Sequence, residues 1–273
     1  MAGSGSEYYT QFDQKPRRLG VVAYSPGRKL TEFLVTLDNV PGAMGKVSSM
    51  CGSLGVNILS GYHNSEADDP HMIWHFFADT TGKDSVEVAK VIESVAHVSQ
   101  VTFSDGAVPE LVTSKMSYPV MMLGNVRAVI FSLDSFANVI RSLQSTFGSG
   151  AGFALFRMGK GAGEFRARVL REKFHLIDPK LAISTAIDLA TSFGWGNLVL
   201  QEFDYNKKRV AIVIHDLFEC SALKGFDHEP MGHYMRGACT GLLSVLMDTP
   251  MTVTETDCIA RGDSYCRFAA SKA

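Results

Sequence analysis

Residues 228–268 read HEPMGHYMRGACTGLLSVLMDTPMTVTETDCIARGDSYCRF, and they decide the carboxy-terminal half of the chain. The first part is a helix rich in small residues, with Gly237 and Gly241 one turn apart and Leu242, Leu243, Leu246 and Met247 filling the adjacent face. A closing hairpin follows, turning on Arg261-Gly262-Asp263. A register that pivots on Gly262 sets Cys258 directly opposite Cys266, which suits either a metal or a disulfide. Glu255 could join the two sulfurs in a partial zinc shell only if the strand lost its alternation. Residues three apart on a regular strand face opposite sides, so a bulge near Thr256-Asp257 is expected.

Working outward, the chain from residue 119 shows a strand (PVMMLGNVRAVIFS), a helix (SFANVIRSLQSTFG) and a glycine-containing helical stretch to Lys173. A further helix (PKLAISTAIDLATSFG) and two strands (NLVLQEFDY, RVAIVIHDL) follow. This predicts an α+β domain over 119–273, with an antiparallel sheet and helices on one side. Gly159, Gly161 and Gly163 flank Lys160, but no Gly-Lys-Ser/Thr ending follows a strand and the dinucleotide spacing is absent, so tight helix packing is expected. Gly237 and Gly241 are read as close packing within the core, with a pocket border or a dimer seam as the other readings. Lys160, Arg166, Arg168, Arg171 and Lys173 read as a solvated face balanced by Glu164 and Glu172, the alternative being contact with an anionic ligand. Trp195 and Phe193 either wall a pocket or pack in the core.

Residues 30–104 follow a different order: strand, helix, strand, strand, helix, strand, the β-α-β-β-α-β of a ferredoxin-like split unit. Met44, Val47, Met50, Cys51 and Leu54 recur at helical spacing and would cover one side of its sheet. Asp38 and Asn39 can cap the first helix, with Pro41 near its first turn. Residues 105–117 read as a polar connector, and residues 1–25 as a loose tail without the apolar run of a signal peptide.

Two resemblances attach to these halves. TLDNVPGAMGKVSSMCGSLGVNILSGYH (36–63) resembles the opening of an ACT domain, a regulatory module that binds amino acids where two copies pair, and the resemblance extends over the unit at 26–108. It implies ligand-facing positions at Asn39, Pro41, Gly42, Ala43 and Met44, with Asn57 and Ile58 opposite, or else a module that only dimerises. The second half, through FGWGNLVLQEFDYNKKRVAIVIHDLFE, GHYMRGACTGLLSVL and ETDCIARGDSYCRF, resembles the 4-vinyl reductase domain family. These are small-molecule sensors related to the input domain of aromatic-responsive bacterial transcription activators. In zinc-containing relatives a cysteine opens the small-residue helix and joins a glutamate and two cysteines of the hairpin. Glu255, Cys258 and Cys266 match the last three places, and Gly232 stands at the first. His233, Cys220 or Cys239 would have to supply the fourth ligand, or the site is empty.

Composition bounds the function. The net charge of -2 gives no electrostatic reason to expect nucleic acid or an anionic membrane as partner, and no stretch reaches the length of a membrane span. Five cysteines are too few and too unevenly spaced for a secreted disulfide framework, so a cytoplasmic setting is expected. The expectation is a homodimeric regulatory protein that takes a small hydrophobic or aromatic molecule into an enclosed pocket of the larger domain. Structural zinc would pin the final hairpin, and an amino acid would occupy the ACT-like module. The alternatives are a reductase or accessory factor acting on vinyl-tetrapyrroles, suggested by the family's name alone, and a non-sensing dimeric adaptor.

Overall fold

The computed structural model describes residues 16–66, 68–122, 126–221, 223–224 and 229–273. The chain divides into two units, Met1–Val129 and Ile130–Ala273.

In the first unit a short strand β1 (Val22–Tyr24) precedes β2 (Leu30–Asp38), α1 (Ala43–Ser53), β3 (Asn57–Asn64), β4 (His71–Asp79), α2 (Ser85–Glu93) and β5 (Val98–Asp105). The sheet order is β3-β4-β2-β5 with every neighbouring pair antiparallel, so the split β-α-β-β-α-β topology expected from the sequence is present. Asp84 starts α2 by accepting a hydrogen bond from Val86 N at 2.9 Å. Alternation along the strands builds the core. Phe33, Val35 and Leu37 of β2 and Trp74, Phe76 and Ala78 of β4 meet Val47 and Cys51 of α1 and Val88 and Ile92 of α2.

The segment expected as a connector instead folds back on the sheet. Strand β6 (Leu111–Thr113) pairs with β1 in the register Val22↔Thr113, and Val112 packs on Leu30 and Phe77. Residues 22–24, expected in the tail, are therefore structured, while the first fifteen residues of that tail lie outside the described residues. The physical reason is a buried ion pair on the helix-free face. Glu32 and His75 are fully buried with Oε1 and Nε2 at 2.6 Å, and the backbone N–H of Lys115 donates to Glu32 Oε2 at 3.2 Å. A paired charge taken from water needs such donors, and the 114–116 segment supplies them. Ser114 Oγ also meets His75 Nε2, at 3.2 Å, so serine and carboxylate share one ring nitrogen and no relay through the imidazole is set up.

The strand expected over 119–132 is also replaced. Its described residues form the small hairpin β7 (Met121–Met122) and β8 (Val126–Arg127) in the first unit, separate from any larger sheet.

The second unit opens with α3 (Leu133–Phe147), α4 (Ser149–Arg168) running into a π-helical turn at Val169–Lys173, and α5 (Pro179–Ser192), which is capped by Asp178. Strands β9 (Asn197–Asp204) and β10 (Arg209–His215), the short α6 (Phe218–Ser221), α7 (His233–Leu246), β11 (Met251–Asp257) and β12 (Cys266–Lys272) complete it. The sheet order is β11-β12-β10-β9, all antiparallel. Val210, Ile212 and Ile214 of β10 share a core with Ala182, Ile183 and Ala186 of α5 and Leu242, Leu243 and Leu246 of α7.

The glycines fix how α4 and α7 meet. Ala151, Leu155, Gly159, Gly163 and Ala167 recur every fourth residue and are buried. A Cβ added at Gly159 or Gly163 would lie 1.9 Å from Tyr234 O or 2.1 Å from Ala238 O. Conversely, one at Gly237 or Gly241 would lie 2.1 Å from Phe156 O or Lys160 O. The two backbones touch along reciprocal glycine notches, so both glycine runs serve one intramolecular seam.

Candidate functional site

Two sites share α7. The first gathers Cys220 of α6, Glu255 of β11, Cys258 just beyond that strand and Cys266 of β12, all buried, with one ligand atom from each lying within 4.8 Å of the others. The expected bulge is what brings them together. Between β11 and β12 the pairing runs Glu255↔Phe268 and then Asp257↔Arg267, so one residue is inserted at Thr256. Carried one step further, the shifted register puts Cys258 opposite Cys266, pivoting on Gly262, whose φ of 113° belongs to glycine. Asp263 braces the turn by accepting from Cys258 N at 2.8 Å and from the Arg261 guanidinium at 2.7 Å.

The geometry fits a tetrahedral ion. With metal–sulfur bonds of about 2.3 Å, tetrahedral ligand atoms stand roughly 3.5–3.8 Å apart. Cys258 Sγ and Cys220 Sγ are 3.6 Å apart, and Cys220 Sγ and Glu255 Oε1 3.8 Å. All five cysteines are free thiols. Backbone N–H groups already aim at the ligands, Met231 N at Cys258 Sγ (3.4 Å), Ile259 N at Cys266 Sγ (3.3 Å) and Gly232 N at Glu255 Oε2 (2.9 Å). Such donors stabilise thiolates and carboxylates. Hydrogen bonds from Cys220 and Cys266 pull the Cys258 thiol well below its ordinary range, so one sulfur of the cluster is held as thiolate. Burial pushes Glu255 up to about 8, and a cation in the cluster would reverse that. Neighbouring Glu219 is also buried and raised to about 8 by desolvation, and it accepts from Tyr234 N and Met235 N at the start of α7.

Of the residues offered for the fourth place, the structure brings Cys220 to the cluster. His233 is not a member. As the first residue of α7 its ring turns to α4, where a Cβ on Gly152 would sit 3.0 Å from Nε2. Cys239 lines the other site, one face of α7 away. At Gly232 an added Cβ would lie 2.9 Å from both Glu255 oxygens, so a side chain there would project straight into the cluster. Glycine leaves room that Glu255 occupies.

The second site is a crevice between α4, α5, α7 and strands β9 and β10. Its walls include Ile187, Leu198, Ile212, Met235, Cys239 and Leu242, all buried. Trp195, predicted from the sequence, does line it, and Arg166, read as one of a solvated set, lines it too. The Arg166 guanidinium lies 4.2 Å from the Trp195 ring centroid and 5.9 Å from that of Phe193. Spacing held the signal: Arg166 is three residues beyond Gly163 and seven beyond Gly159, on the buried side of α4. The space between the walls is about 370 Å³, but the side chains leave about 20 Å³ for a water-sized sphere. That is room for one water, so the guest-sized hollow expected from the sequence is closed here.

The positions suggested in the first unit do not converge. Asn39 spends its amide on Glu66 O and Asp69 O, at 3.2 and 2.9 Å. Ala43 is buried, and Met44 and Ile58 pack on the core. Pro41 and Gly42 stand in the turn before α1, Gly42 at φ 87°. Asn57 aligns with Asp79 and hence with Leu30, the far end of the sheet from Asp38. The two groups are therefore roughly 30 Å apart in one chain, at about 3.3 Å per strand residue.

Comparison with known proteins agrees with this arrangement. Among solved structures, the phenol-responsive sensory domain of the transcription activator PoxR, solved with phenol, is 19% identical over 55% of this chain and 79% of that chain, with a TM-score of 0.51. A vinyl-4-reductase family protein from Methanocaldococcus jannaschii is 16% identical over 54% of this chain and 84% of its own, with a TM-score of 0.38. A trafficking protein particle complex subunit 3 from Naegleria fowleri, covalently bound to palmitic acid, is 16% identical over 52% and 95%, with a TM-score of 0.39. The search of curated proteins finds no match. Among the described residues no helix is long and apolar enough to cross a membrane. The family model of the 4-vinyl reductase domain matches residues 210–272, from β10 to the end of β12, and this part of the carboxy-terminal unit is a 4-vinyl reductase domain.

Proposed function

We propose that the protein is a small-molecule sensor whose ligand enters the crevice of the second unit. The observation that carries this reading is the closed state of that crevice. Ten of its twelve lining residues are buried, and the two half-exposed ones, Arg166 and Trp195, lie across it against each other. A guest larger than water must displace this pair. Binding then favours a conformation other than the resting one, and that differential affinity is what sensing requires. The shared fold with the phenol-responsive domain supports a small hydrophobic or aromatic guest.

In this reading the Cys220–Glu255–Cys258–Cys266 cluster holds zinc, a structural ion with four protein ligands that ties α6 and the final hairpin to the start of α7. The donor set is thiolate-rich and closed, as structural zinc sites are. The first unit acts as an ACT-like module, with an amino acid site, where one forms, made between two copies of the chain. The chain forms a homodimer. The exposed side of α4 carries Phe153, Met158 and Phe165 beside Ala154 and Gly161, an apolar stripe suited to a second copy.

Native mass spectrometry of the full chain purified without added metal tests the reading. The expected spectrum shows a dimer with one zinc per chain, and a mass increment when a neutral aromatic such as benzamide is added. Protein that takes up no aromatic and shows no shift in melting temperature across a neutral and anionic panel would refute the sensor.

A further inference from the structure

We propose that the crevice selects a small apolar monocarboxylate, its carboxylate paired with Arg166 and its apolar body against the walls of α5, α7 and β10. This rests on the reading of the crevice as a ligand site and adds the charge of the guest.

The carrying observation is a cation without a counter-charge. Among the described residues no carboxylate lies within ion-pair distance of Arg166, although the other basic residues of the same stretch have partners. Lys160 and Arg168 meet Glu164 at 3.9 and 3.7 Å, and Arg171 meets Asp248 at 2.8 Å. The groups that act electrostatically on Arg166 are the Tyr234 phenol and the Cys239 thiol, both of α7. On α5 the only carboxylate, Asp188, is exposed, and on β9 Glu202 pairs with Arg209 at 3.2 Å. A guanidinium over an indole uses its ring-like face there and leaves N–H donors at its edge. The planar fork then matches a carboxylate held by two parallel hydrogen bonds. A phosphate dianion would need a second cation, and no other lysine or arginine lines the crevice. The remaining walls are aliphatic, aromatic or thiol, so the rest of the guest is apolar.

The same pair forms the lid. Because Arg166 and Trp195 are the half-exposed members of the lining, a carboxylate meets the guanidinium from solvent first, and the apolar body follows as the pair opens.

Isothermal titration of the full chain with two acid–amide pairs, benzoate with benzamide and hexanoate with hexanamide, decides it. In the wild type at least one acid binds ten or more times tighter than its amide. Arg166→Gln, checked for native circular dichroism, erases that ratio and leaves amide affinity within about threefold, while Arg166→Lys keeps part of the preference. Equal affinity for acids and amides in the wild type, or a preference that survives in Arg166→Gln, overturns the proposal and leaves the crevice as a neutral-ligand site. Binding of none of the four overturns both readings. If the variant does not fold, the wild-type ratio alone decides between these outcomes.

Discussion

Replacing Cys220 by alanine tests the relocated ligand. Structural zinc in small four-ligand sites is bound with about 10–16 kcal/mol of apparent free energy. An even share per ligand is then about 2.5–4 kcal/mol, or roughly a 10²–10³-fold loss of affinity at about 1.4 kcal/mol per tenfold. The structure makes Cys220 a full member of the set, 3.6 Å from Cys258 Sγ and 3.8 Å from Glu255 Oε1, so the loss should reach that range. Competition with a chromophoric chelator gives the affinity, and metal analysis gives the stoichiometry. Cys239→Ala, equally buried but outside the cluster, should keep wild-type zinc binding. Adding Gly232→Cys to Cys220→Ala should restore part of the affinity, because that side chain projects into the cluster. Rescue should be incomplete, since a Cβ there stands 2.9 Å from the Glu255 oxygens and 2.8 Å from Phe268 Cζ, and both must give way. A Cys220→Ala protein that binds zinc within tenfold of wild type, or a wild type with no affinity for it, would refute the reasoning.

Gly161 has nothing within 4 Å of an added Cβ, whereas Gly163 would meet Ala238 O at 2.1 Å. Gly161→Ala should therefore stabilise by about 0.5–1 kcal/mol and Gly163→Ala destabilise by about 3 kcal/mol or more in urea unfolding; effects of the same sign would contradict the backbone seam. Glu32→Ala should cost about 3–5 kcal/mol, since it strands a buried His75, and a loss below about 1 kcal/mol would show that the pair carries no strain of desolvation. Burial raises Cys51 to about 11 and Cys239 to about 12. At pH 8 the thiolate fractions are then about 10⁻³ and 10⁻⁴, and alkylation of the native protein should climb about tenfold per pH unit up to pH 10; fast labelling of either at pH 8 would contradict the packing around it.

Much of this fold was legible because periodicity and turn chemistry act locally. The β-α-β-β-α-β order, the glycine seam and the bulge at Thr256 all follow from spacings within single segments, and the three hairpin ligands followed from that bulge. What stayed hidden depends on distant partners. Cys220 sits twelve residues before Gly232, and only the path of α6 brings its sulfur to the place a side chain at 232 would fill. The return of β6 answers a buried Glu32–His75 pair formed between strands far apart in sequence. Residues 119–132 carry strand propensity without a sheet edge to join, so their described part stays a two-rung hairpin. Arg166 stands among charged neighbours along the chain, although its phase on α4 matches the glycine notches. The ligand positions suggested by the ACT resemblance share a fold unit but not a place within one chain.

Labelling the protein with 5-fluorotryptophan and following its two tryptophans by fluorine NMR, with Trp195→Phe assigning the signals, puts the sensor account to the test. Saturating benzamide or benzoate should shift the Trp195 resonance in a saturable way and leave that of Trp74, in the core of the first unit, where it was. A Trp195 signal unmoved by compounds that measurably bind the protein would place the ligand elsewhere and contradict the account.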